Sequence, residues 1–186
     1  MLSSTQTLLD RNRAFSNDFT AQDLPILPKL GTILLTCTDS RVDPAYFAGL
    51  ELGDAGVIRN AGARVTPEVI QELAMLSFLG RQLSGSDAFQ MEFVIIQDSD
   101  CGAERLANPQ LQQAIQENLG IDVSATAITD HEASIREDVE RLRHSAQLPK
   151  DIVVSAFIYD VHDGQLRQVI PPSPLSPTQT ESEVIS

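Results

Sequence analysis

Short apolar runs alternate with longer stretches of helical spacing along this chain, and few folds satisfy that order. Residues 32–36, 54–59, 93–97 and 151–159 have the length and β-branched content of strands. Between them lie helical patterns at 66–83, opened by Thr66-Pro67-Glu68, at 104–119 with a break at Asn108-Pro109, and at 132–143 with Asp130 as its cap. A shorter signal, Asp43-Pro44, marks a cap with proline in the first turn. Strands that alternate with helices build a parallel sheet through right-handed crossovers. The expected fold is therefore α/β, a central parallel four-stranded sheet flanked by helices. Gly164 turns the chain into 165–170, a run suited to an antiparallel edge strand.

The ends of the chain read differently. Leu8, Leu9, Phe15 and Phe19 fall at mixed helical spacing within 5–20, which gives a helix an apolar face that needs a partner. Leu24-Pro25-Ile26-Leu27-Pro28 is extended, because each proline excludes the helical region for the residue before it. The expected organisation is an N-terminal helical arm and connector over 1–30, the α/β domain over 31–170, and a disordered Pro/Ser-rich tail over 171–186. Within 66–83, Val69, Leu73, Leu76 and Leu79 or Gly80 form the expected core stripe.

A chain of 186 residues suits one domain. Its formal net charge of -13 and pI near 4.4 argue against nucleic acid or an anionic membrane as partner, since phosphate is bound with Lys and Arg. No apolar run approaches the roughly 20 residues needed to cross a bilayer. The amino terminus lacks the charged-then-apolar pattern of a signal peptide. The expectation is a soluble, cytoplasmic protein, in which two cysteines stay reduced.

Those two cysteines each stand where a strand runs out into a loop, in Thr36-Cys37-Thr38-Asp39-Ser40-Arg41 and in Gln97-Asp98-Ser99-Asp100-Cys101-Gly102. Open α/β sheets place their ligands at the carboxyl ends of strands, and both cysteines have carboxylates beside them. Thiolates and carboxylates are zinc ligands, although two cysteines at this spacing alone are more often ordinary buried thiols.

The three segments Cys37-Thr38-Asp39-Ser40-Arg41, Val57-Ile58-Arg59-Asn60-Ala61-Gly62 and Asp100-Cys101-Gly102, in that order and at those strand ends, resemble the β-class carbonic anhydrases. The likeness runs from about Leu8 to Ile170. It implies that Cys37 and Cys101 ligate Zn²⁺ and that Asp39 and Arg41 form a catalytic dyad, the arginine holding the aspartate off the metal. In a second, closed arrangement known in the family that aspartate becomes the fourth ligand. The likeness also implies a homodimer, or a dimer-based oligomer, with the amino-terminal helix lying across the partner.

At one place the chain departs from the pattern. The family has His-x-x-Cys in the last motif, whereas Asp98 stands in the histidine slot here. Two thiolates and a neutral imidazole balance the charge of Zn²⁺, but a carboxylate in place of imidazole leaves the site net negative and less able to acidify bound water. Aspartate is also the shorter side chain and has less reach. His131, His144 and His162 read as solvated or capping residues rather than as substitutes. Arg59-Asn60-Ala61-Gly62 reads as structural, and Gly102 as a substrate-binding position if helix amides following it face an anion.

The resemblance thus implies a zinc-dependent carbonic anhydrase that hydrates CO2 to bicarbonate by zinc-bound hydroxide, with Cys37, Asp98 and Cys101 on the metal. Two alternatives stand beside it. One is a non-catalytic paralogue acting as an oligomeric or anion-binding protein; the other is a hydrolase of a CO2 analogue, carbonyl sulfide or carbon disulfide.

Overall fold

The computed structural model describes residues 3–86 and 89–176. Helix α1 (Ser4–Asn17) leads through the connector to strand β1 (Thr32–Cys37), a single turn of helix α2 (Pro44–Phe47) and strand β2 (Ala55–Asn60). Helix α3 (Pro67–Ser84), strand β3 (Glu92–Asp98) and a 3₁₀ segment (Gly102–Ala107) follow. Helices α4 (Pro109–Leu119) and α5 (His131–His144) then precede strands β4 (Val153–Tyr159) and β5 (Leu166–Pro174). The helix starts follow side-chain chemistry. Asp43, Thr66, Asn108 and Asp130 each accept a backbone N–H of the first turn, and proline stands directly after the first three, where no amide is needed.

The sheet runs in the order β2-β1-β3-β4-β5, with β5 alone antiparallel. Every residue of β1 is buried, as an interior parallel strand covered on both faces requires. Leu35, Phe93 and Ile95 from the sheet share one core with Leu73 of α3 and Ile135 and Leu142 of α5. Because β1 and β3 are parallel neighbours, with Thr36 opposite Ile96, the chain leaves both at the same edge. That edge carries the site.

A buried ion pair ties the turn after β2 to α5. Arg64 is 1% exposed and donates from Nε to Oδ2 of Asp138 at 2.7 Å and from Nη2 to Oδ1 at 3.1 Å. A third bond reaches the Ala127 carbonyl, and the Asn60 side chain brackets the Arg64 backbone through both its amide atoms. Bidentate geometry with the remaining donors satisfied is what makes such a pair tolerable away from water.

Three expectations need correction. The chain beyond Ile170 does not leave the fold at Pro171: β5 continues to Pro174, Leu175 is 1% exposed, and the Ser176 amide bonds the Lys150 carbonyl at 2.9 Å. Proline is compatible with this strand because β5 is an edge, and Pro171-Pro172 fall where the β4 pairing shifts register between Val154 and Ala156. The part of the expected tail from 177 to 186 lies outside the described residues. Second, the buried stripe of α3 is Val69, Leu73, Ser77 and Gly80, whereas Leu79 is exposed together with Met75, Phe78 and Leu83. A Cβ at Gly80 would come within 2.5 Å of the Phe89 ring, which would have to shift to admit it. Third, the arm helix ends at Asn17, short of its pattern; Leu8, Leu9, Phe15 and Phe19 are exposed in the single chain, where the expected partner is not present. Among the described residues no helix is long and apolar enough to cross a membrane.

Replacing Leu175 by alanine is expected to destabilise the protein by about 2–4 kcal/mol, the cost of a cavity in a well-packed core. Urea unfolding measures it, and a loss below about 0.5 kcal/mol would mean that the segment after Pro174 contributes nothing to the core.

Candidate metal centre

Cys37 is the last residue of β1 and Asp98 the last of β3, while Cys101 caps the 3₁₀ segment. Their ligand atoms all lie within 4.8 Å of one another, and all three residues are buried. The two sulfurs are 3.3 Å apart and unbonded. Backbone amides of Asp39 and Gly62 point at Cys37 Sγ, and that of Ala103 at Cys101 Sγ, each at 3.4 Å. Gly62 reaches this position with φ of 79°, and a Cβ on it would lie 2.9 Å from Ile128 and 3.1 Å from Ala103. Arg59 closes the other side, donating to the carbonyls of Cys37, Asp39 and Val42 and so stapling the loop after β1. The structural reading of Arg59-Asn60-Ala61-Gly62 thus corresponds to definite contacts.

Asp98 is the anomaly of the site. It is wholly buried, and neither carboxylate oxygen has a hydrogen-bond partner. A carboxylate so placed is strongly disfavoured unless a cation shares the space. The sulfurs show the same tension. The Cys37 thiol is pulled down to about 7, chiefly because Cys101 donates to it, helped by the Asp39 and Gly62 amides, while burial and Asp98 push back. Cys101 is pushed far up by giving that hydrogen bond, by burial and by the neighbouring negative charges. Two soft sulfurs and a hard oxygen, dry and converging, are a donor set that zinc accepts. Ala103, Ile128 and Leu106 back the sulfurs with apolar surface.

Asp39 is brought to the site but is not one of the converging atoms. Arg41 holds it with its own backbone amide, with Nε at 3.0 Å and with Nη2 at 2.8 Å. Those bonds keep its carboxyl at about 2, well below the usual range. Arg41 in turn is anchored on Asp100, through the side chain at 2.9 Å and the backbone carbonyl at 2.7 Å. Arg41 thus holds the Asp39 carboxylate to itself and not among the converging donor atoms.

The Gly102 expectation needs adjustment, because the amides after it are already spent. Ala103 donates to Cys101 Sγ and Glu104 to the Cys101 carbonyl. Gly102 itself leaves open space beside Cys101, with nothing within 4 Å of where a Cβ would be. The reading of His131 as a solvated or capping residue also changes, since its ring bonds both Gln97 and Glu104. The sequence carries one trace of this. Glu104 stands three residues after Cys101, the position from which a capping-box carboxylate reaches back, and it accepts the Cys101 amide at 3.0 Å. His144 and His162 lie outside the cluster.

The ends of the sheet thus bring Cys37, Asp98 and Cys101 together as a group that could hold a metal ion, beside the Asp39–Arg41 pair, and comparison with known proteins gives the family. The carbonic anhydrase family model matches residues 32–166. The chain is 29% identical to β-carbonic anhydrase 1 of Mycobacterium tuberculosis over 169 residues, 90% of this chain and 98% of that protein. It is 28% identical over 155 residues to a carbon disulfide hydrolase of Acidithiobacillus thiooxidans, 70% of this chain and 73% of that one. The crystal structure of a carbonic anhydrase from Streptococcus mutans superposes with a TM-score of 0.75 at 35% identity, covering 91% of this chain and 99% of the other. The chain belongs to the β-class carbonic anhydrase family.

Two outcomes follow from this geometry. In chelator-treated protein, Asp98→Leu is expected to raise the melting temperature by roughly 2–12 °C, because an unpaired buried polar group costs about 1–3 kcal/mol and each kcal/mol moves Tm by about 2–4 °C at this size. Added zinc should stabilise the wild type and leave that variant unmoved; the opposite pattern in thermal melts would remove the cation argument. Separately, a carboxyl held at about 2 rather than the ordinary 3.8 stabilises the fold above the ordinary value and ceases to do so as pH falls through about 2. The small stability difference between wild type and Arg41→Gln in urea should thus be constant above about pH 4 and vanish near pH 2.

Proposed function

We propose that this protein is a zinc-dependent carbonic anhydrase that reversibly hydrates CO2 to bicarbonate, at a rate lowered near neutral pH by its aspartate ligand. The single observation that carries the reading is the buried, unpartnered Asp98 carboxylate converging with two thiols. Cys37, Asp98 and Cys101 would hold the zinc, which would supply a polarised water, less acidic than with an imidazole in place of Asp98. The rest falls to the chain itself. Asp39 stays ionised beside the site because Arg41 clamps it, so it can accept a hydrogen bond and orient the nucleophile. Asp100 fixes Arg41, which keeps Asp39 from swinging inward to close the site as a fourth ligand. Gly102 leaves the approach open for CO2 and bicarbonate.

The assembly belongs to the same proposal. Leu8, Leu9, Phe15 and Phe19 of the arm, and Met75, Phe78, Leu79 and Leu83 on α3, are apolar and exposed in the single chain. A homodimer, or an oligomer of dimers, with the arm lying across the partner would bury such surface. A cytoplasmic location fits two reduced thiols, and nucleic acid and membrane remain poor partners for so acidic a chain.

A second reading has its own support: the curated relatives include carbon disulfide hydrolases, so a CO2 analogue is the substrate to try next. A non-catalytic, anion-binding paralogue is the outcome if the site holds no metal.

Protein purified without chelator should contain close to one equivalent of zinc per chain; less than about a tenth would favour the non-catalytic paralogue. Stopped-flow CO2 hydration should rise with pH, and no rate above buffer at pH 9 would defeat the proposal, with carbon disulfide tested in the same preparation. Asp98→His should raise zinc affinity and the neutral-pH rate together, since it restores a neutral ligand with longer reach. Unchanged values for both would show that position 98 does not touch the metal.

A further inference from the structure

The three donor residues stand on two separate chain segments, and the one that carries both Asp98 and Cys101 turns sharply between strand and 3₁₀ helix. Two contacts grip that turn at its two ends, and one side chain makes both. His131, the first residue of α5, places Nε2 at 2.9 Å from Glu104 Oε1 and Nδ1 at 3.0 Å from Gln97 Oε1. Glu104 Oε1 is the same atom that accepts the Cys101 amide. Gln97 immediately precedes Asp98 and is wholly buried; Ser134, one turn along α5, donates to the same amide oxygen at 3.0 Å.

We propose that His131 is a positioning residue for the metal: by spanning Gln97 and Glu104 it fixes the spacing between the Asp98 carboxylate and the Cys101 sulfur without touching either. This rests on the reading of Cys37, Asp98 and Cys101 as zinc ligands. An imidazole is suited to the task because its two ring nitrogens point apart at a fixed angle, so it acts as a rigid strut between two polar groups. The bridge does not depend on a particular protonation state. A neutral ring donates at one nitrogen and accepts at the other, and the Gln97 amide can present nitrogen or oxygen by a half-turn; Gln97 Nε2 otherwise has no partner in its buried position. The strut matters more with aspartate at 98 than it would with a longer ligand. A short side chain has less conformational freedom with which to absorb an error in backbone position, so the backbone must be placed for it.

The experiment is zinc affinity by competition with a chromogenic chelator on the full chain, together with the melting temperature of chelated and zinc-loaded protein. His131→Ala is expected to weaken zinc by roughly 10–100-fold, the usual effect of losing a group that orients a ligand. The zinc-induced rise in Tm should shrink correspondingly, and the thiolate-to-metal absorption of the cobalt-substituted protein should shift. A merely structural role would lower both melting temperatures together and leave affinity and spectrum alone. Glu104→Gln, which keeps an oxygen for the Cys101 amide, should stay within about threefold of wild type, whereas Glu104→Ala should resemble His131→Ala and serves if that variant does not fold. His144→Ala, at the far end of the same helix, should bind zinc as the wild type does. Affinity of His131→Ala within twofold of a wild type that binds one equivalent overturns the inference alone; a wild type that binds no zinc overturns the site assignment as well.

Discussion

A carboxylate sealed from water with no donor in reach persists only if something positive shares its space, and Asp98 is such a carboxylate. Two sulfurs sit beside it, one held by two backbone amides and the other by one. The amides and the Cys101 thiol ease the charge on Cys37, but nothing among the described residues donates to the Asp98 carboxylate. Much of the surrounding architecture serves this convergence. Parallel pairing brings the ends of β1 and β3 to one edge, Arg59 pins the loop after β1, and the glycine at 62 lets an amide approach sulfur where any side chain would strike Ile128. The buried Arg64–Asp138 pair anchors the turn that carries Gly62 to α5. Helix α5 also supplies, as its first residue, the histidine that braces the second ligand segment.

Charge is distributed with a purpose around the same edge. Arg41 faces two aspartates, and the hydrogen bonds it gives Asp39 from its side chain and backbone hold that carboxyl well below the usual range. The result is an ionised acceptor held at the mouth of a dry, sulfur-lined site. Replacing a neutral histidine of the family pattern by Asp98 places one more negative charge inside, so the metal would hold its water less acidic while the outer dyad is unchanged.

The fold and most of the candidate site are legible in the linear order of residues. Apolar runs alternating with capped helical segments specify a parallel sheet, and a cysteine at each of two strand ends marks the ligand-bearing edge, because strand direction alone decides where those ends lie. Other features are not legible for particular reasons. Pro171, Pro172 and Pro174 resemble the start of a loose tail until β5 is seen to be an edge with shifted pairing, where proline loses no ladder bond that an interior strand would need. Leu79 has the spacing of a core residue, yet the face that α3 buries is set by the sheet beneath it. His131 is far in sequence from both its partners, and neither distance nor composition marks it.

What the sequence by itself determined is the α/β class and the edge that bears the candidate site, since these follow from periodicity and strand direction; the candidate donors came from the likeness of three short segments to the β-class carbonic anhydrases. Only the tertiary structure decided that the Asp98 carboxylate is left without a partner, that Arg41 holds Asp39 outward, and that a histidine from a distant helix spans the ligand segment. The reason is physical: hydrogen-bond satisfaction and burial are properties of neighbours in space, and a chain specifies those neighbours only once its helices have packed against its sheet.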